Sequence, residues 1–193
     1  MFDRLFKYLL KHNILYRYQF GFIPGRSTTH ALLHFTDMLT NAFEKRHFVS
    51  GTFLDLSKAF DTLHHNILFS KLDHYGVRGN ALHWFKSYLS NRQQFVSISN
   101  VNSQYCDISC GVPQGSILGP LLFIIYVNDL YRATDKLHII SYADDTNIFY
   151  SNPDLCHLFD VVQEEFTKVY RWFCVNKLSL NVKKTTSVLF SQV

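Results

Sequence analysis

The sequence predicts an α+β fold, a small antiparallel sheet backed by helices. Three stretches carry that prediction. Leu137-His138-Ile139-Ile140 and Asn147-Ile148-Phe149-Tyr150 flank the polar segment Ser141-Tyr142-Ala143-Asp144-Asp145-Thr146, and two runs rich in β-branched and aromatic residues around such a joint read as a β-hairpin. Residues 48–57 read as a buried strand that ends at Asp55. Residues 117–129 are apolar almost all round, the mark of a buried helix. A hairpin with separate helices packed on it is the α+β pattern.

The bulk properties fit. A chain of 193 residues suffices for one good-sized domain. With 47% hydrophobic and 18% charged residues it is too apolar for a disordered chain, and its 18 Phe and 11 Tyr can fill a large core. A net charge of +4 permits a polyanionic partner without requiring one. Of the four cysteines only Cys106 and Cys110 are close, with no second pair to complete a zinc site. They are expected to be reduced, mostly buried thiols of an intracellular protein, in the nucleus or the cytoplasm. Residues 1–10 are too charged for a signal peptide. No apolar run approaches the roughly 20 residues of a membrane span, and the longest, 121–127, is core.

Taken in order, residues 2–15 place Phe2, Leu5, Phe6, Leu9 and Leu10 on one helical face. Pro24-Gly25 then breaks the helix, and Ser27 or Thr28 caps a new one over about 30–45. Arg26 sits at that loop-to-helix junction, where a guanidinium meets either solvent or a phosphate. After the strand, Ala59, Phe60, Leu63, Ile67 and Leu68 form a helical stripe over 58–68. His64 and His65 are neighbours that point in different directions on a helix, so they are read as structural or surface residues. Helices are expected over 66–75 and 79–89, with Gly76 as a C-terminal cap, followed by a turn at 90–92 and strands over 93–99 and 105–109. Residues 110–120 form a Gly/Pro-punctuated loop in which Gln114 is the long polar side chain and Ser116 can cap the buried helix. Residues 154–177 read as a long amphipathic helix with Leu155, Leu158, Phe159, Val162, Phe166, Val169, Tyr170 and Phe173 toward the core, and the tail to 190 ends in a strand.

Two adjacent aspartates at a hairpin tip repel each other unless a cation sits between them. Mg²⁺ takes hard oxygen ligands and commonly binds through one or two carboxylates plus substrate phosphates. Alone, Asp144-Asp145 reads as a solvated turn and Asp55 as a cap. Together, three carboxylates on neighbouring strands can hold the cation pair, roughly 3.5–4 Å apart, that phosphoryl transfer onto a hydroxyl uses.

The ordered motifs sharpen this. They are Gln19-Phe20-Gly21-Phe22 with Pro24-Gly25-Arg26-Ser27-Thr28, then Phe53-Leu54-Asp55-Leu56-Ser57-Lys58-Ala59-Phe60-Asp61. Gly111-Val112-Pro113-Gln114-Gly115-Ser116 and Leu118-Gly119-Pro120-Leu121-Leu122-Phe123 follow, then Tyr142-Ala143-Asp144-Asp145 and Asn181-Val182-Lys183-Lys184-Thr185. The set resembles the reverse transcriptase domain of non-LTR (LINE-type) retrotransposons, over nearly the whole chain and in the right order.

That resemblance implies a polymerase palm (51–193, mostly) with partial fingers (1–50), and RNA-directed DNA polymerase activity. The family's first fingers blocks are expected upstream of Phe2, and its primer grip and thumb beyond Val193. Asp55, Asp144 and Asp145, with the Leu56 carbonyl, would ligate two Mg²⁺ ions, for which Mn²⁺ is a possible substitute. Phe60 would be the steric gate against a ribose 2′-OH, and Gln114 and Gly115 would line the nucleotide pocket. Arg26 would touch template or triphosphate, and Ala143 would lie beside the primer terminus. Lys184, or less directly Lys183, would donate a proton to leaving pyrophosphate. The implied partners are an RNA template, a DNA primer and dNTPs, with no membrane. Two rival readings are a catalytically incompetent retrotransposon remnant that at most binds nucleic acid, and an intron-encoded maturase. The latter would carry a basic RNA-binding extension, which the sequence lacks.

Overall fold

The computed structural model describes residues 1–192. In chain order the elements are α1 (Phe2–Lys11), α2 (Thr28–Glu44), β1 (Phe48–Leu54), α3 (His65–His74) and α4 (Gly79–Leu89). Four two-residue strands follow: β2 (Gln93–Gln94), β3 (Ser97–Ile98), β4 (Val101–Asn102) and β5 (Cys106–Asp107). Then come α5 (Leu118–Val127), a 3₁₀ turn (Leu130–Ala133), β6 (His138–Tyr142), β7 (Asp145–Asn152), α6 (Leu155–Val175) and β8 (Thr186–Phe190). The α+β expectation holds. The main sheet is antiparallel, in the order β6-β7-β1-β8.

Register makes the sheet useful. Tyr142 pairs with Asp145 across the hairpin, leaving Ala143 and Asp144 as its two-residue loop. Leu54, the last residue of β1, pairs with Thr146 of β7. Asp55 therefore leaves β1 beside the hairpin tip, from the adjacent strand. α6 packs on β1 and β7, and α2 on β6 and β1. α5 is buried from Leu121 through Tyr126, as its unbroken apolar run requires, and anchors a core that reaches from Leu5 to Leu178. Two caps fall where the sequence places them: the Ser27 side chain accepts from His30 N, and Ser116 Oγ accepts from Gly119 N at 3.0 Å; Asp154, accepting from His157 N, caps α6 as well. Among the described residues no helix is long and apolar enough to cross a membrane.

Several expectations need correction. The stripe over 58–68 is not a helix until His65. Ser57 N donates to Ser179 O, Lys58 takes a φ of 51°, and the carbonyls of Phe60 and Leu63 accept from Val112 N and Gly111 N. The 110–112 strap thus occupies backbone groups that a helix would need. α1 stops at Lys11 rather than running to 15, because Asn13 turns to a φ of 50°. The strands expected over 93–99 and 105–109 break into two short ribbons, β2–β5 and β3–β4, that expose Phe95, Val96, Ile98, Val101 and Tyr105. All four cysteines are exposed rather than buried, Cys106 on a ribbon and Cys156 and Cys174 on α6.

The face of α6 is also rotated. Phe159 and Tyr170 are exposed, whereas Val161 and Glu165 are buried. Glu165 is fully enclosed, yet its carboxylate accepts from Lys168 Nζ at 2.6 Å, Thr134 Oγ1 at 2.6 Å and Asp135 N at 3.3 Å. Thr134 Oγ1 in turn accepts from Leu137 N, so the carboxylate fixes the loop that enters β6. The Lys168 and Thr134 hydrogen bonds hold the Glu165 carboxyl down to about 2, from an ordinary value of 4.5. A carboxyl that is more acidic in the folded chain contributes stability above its unfolded value and loses it as pH falls. Glu165→Gln is expected to lower stability by about 1–3 kcal/mol at pH 7. The deficit should shrink between pH 4.5 and about 2, measured by thermal unfolding across pH.

Candidate active site

The hairpin loop is held from outside. Ala143 has a φ of 58°, a left-handed conformation that costs a non-glycine residue about 1–2 kcal/mol. The segment Tyr18–Gly21 lies along β6: Ser141 N donates to Tyr18 O at 2.9 Å, and Phe20 N donates to Ser141 O at 2.7 Å. From this strap Gln19, 3% exposed, reaches the loop. Its Oε1 accepts from Ala143 N at 2.9 Å and from Gly21 N at 2.8 Å, and its Nε2 donates to Ala143 O at 3.4 Å. Gly21 is a glycine for a steric reason, since a Cβ there would overlap the Ala143 backbone nitrogen.

Around this loop the carboxylates gather. Asp55, Asp145 and Lys184 line one cleft of about 590 Å³ with Thr28, Ala31, Leu32, Phe53, Tyr142 and Asn147. Burial first, then the charges of Asp144 and Asp55, push the Asp145 carboxyl above the usual carboxylate range. The two neighbouring carboxylates thus add to a desolvation that already disfavours the ionised form. Lys184 Nζ stands 3.8 Å from Asp55 Oδ2 on a largely exposed side chain, reached because Asn181 N donates to Asp55 O and sets the tail alongside. Those bonds and Ser57 N to Ser179 O form the Leu56–Leu180 bridge, and they leave the Leu56 carbonyl out of the pairing. Among the described residues no group of three or more His, Cys, Asp or Glu side chains is placed to hold a metal ion by itself. The donors present are hard carboxylate and carbonyl oxygens, the chemistry that suits Mg²⁺, which completes its shell with water and phosphate. The set fits that ion in kind.

The other expected site residues divide. Phe60 is half-buried, its ring 4.7 Å from that of Phe123 and edge-on to Phe22 at 6.2 Å. Gln114 is exposed and donates to Asp61 Oδ1 at 2.8 Å, in a second cleft lined also by Lys58, His65 and Arg92. Gly115 has a φ of 74°, and a Cβ placed there would meet nothing within 4 Å, so the loop beside Gln114 is open. Arg26 turns back onto its own loop: Nη1 donates to the carbonyls of Arg17 at 2.8 Å, Gln19 at 2.5 Å and Tyr16 at 3.3 Å. In this structure it braces the strap that carries Gln19. His65 Nε2 bonds Gly111 O at 2.7 Å, the structural role read for it. Gln19, Phe22 and Asp61 lie within the motifs singled out in the sequence, but the contacts that give them a place at the site are not signalled there. The partner of Gln19 lies 124 residues away.

A sheet with acidic residues at one end, a glutamine loop beside it and a buried helix behind define a class. Residues 2–192 match the family of reverse transcriptases (RNA-dependent DNA polymerases), and the chain belongs to that family. Within it, the relatives are polymerases of non-LTR mobile elements, as the motif order implies. The probable RNA-directed DNA polymerase from transposon BS of Drosophila melanogaster is 32% identical over 98% of this chain and 22% of its own length. The RNA-directed DNA polymerase from mobile element jockey of the same species is 29% identical over 91% of this chain and 20% of its own. The chain thus spans about a fifth of the curated relatives it matches. In fold it is similar to telomerase from Candida albicans, with a TM-score of 0.68 at 16% identity over 95% of this chain and 33% of that one. Telomerase from Candida tropicalis gives the same TM-score at 14% identity, over 99% of this chain and 40% of that one.

Proposed function

We propose that this chain carries the palm and part of the fingers of an RNA-directed DNA polymerase, with residues 1–50 as fingers and 51–193 mostly as palm. It adds deoxynucleoside triphosphates to a primer 3′-hydroxyl on an RNA or DNA template. The observation that carries this reading is the pairing of Leu54 with Thr146, which brings Asp55 against the Asp144-Asp145 hairpin.

Asp55, Asp144, Asp145 and the Leu56 carbonyl would hold two Mg²⁺ ions, or Mn²⁺ in their stead. When bound, such ions supply a lowered pKa for the attacking hydroxyl and charge stabilisation of the leaving oxygen. The chain's own residues do the positioning that phosphoryl transfer otherwise needs. Lys184, beside Asp55, supplies a cationic N–H to the departing pyrophosphate. Phe60, backed by Phe123 and Phe22, bars a 2′-hydroxyl from the sugar site. Gln114 and Gly115 border the base and sugar of the incoming nucleotide, and Ala143 abuts the primer end. Arg26 serves the nucleotide indirectly, by stiffening the strap next to the hairpin. An RNA–DNA hybrid is gripped by its phosphates and shape, wherever in the nucleus or cytoplasm the template is met.

Primer extension tests this. With an RNA template, a DNA primer, Mg²⁺ and dNTPs, the purified chain is expected to add nucleotides in the order the template dictates. No addition, with the hybrid still bound, would instead support a remnant that binds nucleic acid without catalysis.

A further inference from the structure

We propose that Gln19 is a positioning residue for the catalytic carboxylates, its buried side-chain amide clamping the Ala143 peptide groups so that Asp144 and Asp145 are held on the hairpin tip. The proposal rests on the polymerase reading of the site.

Both sides of Ala143 are gripped by one side chain. Its N–H donates to Gln19 Oε1 at 2.9 Å and its carbonyl accepts from Gln19 Nε2 at 3.4 Å. The peptide that enters the loop and the one that leads into Asp144 are thereby fixed together. The grip has a firm base. Oε1 also accepts from Gly21 N at 2.8 Å, and Arg26 Nη1 donates to Gln19 O at 2.5 Å. Gly21 lies so close against Ala143 that a Cβ would not fit. A two-residue loop with an alanine at a φ of 58° needs such support, because a free hairpin would relax a non-glycine residue out of the left-handed region. Strand pairing alone does not supply it, for the β6–β7 ladder ends at Tyr142 and Asp145. Catalytic groups are kept in productive geometry by partners of this kind, and small displacements cost rate.

The test compares the whole chain with Gln19→Leu and Gln19→Glu by residue-resolved amide exchange and by single-nucleotide addition. Leucine has no acceptor. The Ala143 and Gly21 amides should then exchange roughly 10–100-fold faster, while the β6–β7 ladder amides stay protected. kcat should fall about tenfold or more, with KM for the dNTP within about twofold. Glutamate keeps the acceptor for both amides but, ionised, has no donor for the Ala143 carbonyl, so it should keep both amides protected while recovering only part of kcat. Should Gln19→Leu not fold, Gln19→Asn, one carbon shorter, carries the same comparison. Retained protection at Ala143 in the leucine variant would overturn the clamp. Lost protection with unchanged kcat would overturn its positioning role, as would ladder amides that speed up in step. If the wild-type chain adds no nucleotide, the polymerase reading falls separately, and exchange at Ala143, which needs no catalysis, still decides whether Gln19 holds the loop.

Discussion

Asp145→Asn is expected to abolish primer extension and, at the same time, to make the free chain more stable. The stability gain follows from the crowding that lifts the Asp145 carboxyl: partial burial, then Asp144, then Asp55. A raised carboxyl pKa means that the folded chain pays a penalty for the ionised form above that pKa. Asparagine removes the charge and keeps the shape. Asp145 is exposed, so solvent screens these charges and the gain is small, read as a slight rise in melting temperature. The activity loss is far larger. Charge stabilisation by bound cations is worth several kcal/mol, and each ~1.4 kcal/mol is tenfold in rate, so extension should drop by a factor on the order of 10³. Thermal unfolding of the free chain and extension rates of both proteins check the pair. A variant that is less stable and still active would contradict both halves.

Gly21→Ala should have the largest effect on folding of any single methyl group at the site. The added Cβ would meet the nitrogen, Cα and Cβ of Ala143. Neither partner can step aside. Phe20 N is bonded to Ser141 O on one side of the contact, and Gln19 Oε1 holds Gly21 N and Ala143 N on the other. Overpacking of a close-packed contact costs roughly 1–3 kcal/mol and sometimes more. The upper end is expected here, a fall of about 6–12 °C in melting temperature. Extension should fall with it, since relief comes only by moving the hairpin. A melting temperature within about 2 °C of wild type would show that the strap is not pressed against the loop.

Much of this arrangement was legible in the sequence, for physical reasons that differ by element. The hairpin, β1 and α5 follow from hydrophobic period and length, which act locally. The caps at Ser27 and Ser116 are likewise set by neighbours within one turn. Residues 57–64 were not legible. Their apolar stripe suits a helix, but backbone pairing with 110–112 and 179 wins, and those partners are remote in sequence. Glu165 sits among apolar positions of α6, and its burial is made tolerable by Lys168 on its own helix and by Thr134 and Asp135, which are remote in sequence. The rotation of α6 that exposes Phe159 and Tyr170 depends on that same contact face. At the site, the aspartates announce themselves by type and order. Gln19 does not, because a glutamine ahead of Phe-Gly gives no sign of a partner in another strand's loop. Arg26 shows the converse: a residue type suited to phosphate is spent on three carbonyls of its own loop.

The most direct measurement is Mn²⁺ binding, followed by electron paramagnetic resonance, in the presence of primer-template and dNTP. It compares the wild-type chain with Asp55→Asn, Asp144→Asn and Asp145→Asn. Asp55 follows the end of β1 and the other two aspartates belong to the β6–β7 hairpin, segments joined by strand register. If they act as one site, each substitution weakens the same binding event, and combining two adds less than the sum of the single losses. Manganese binding that Asp55→Asn leaves untouched would contradict the account.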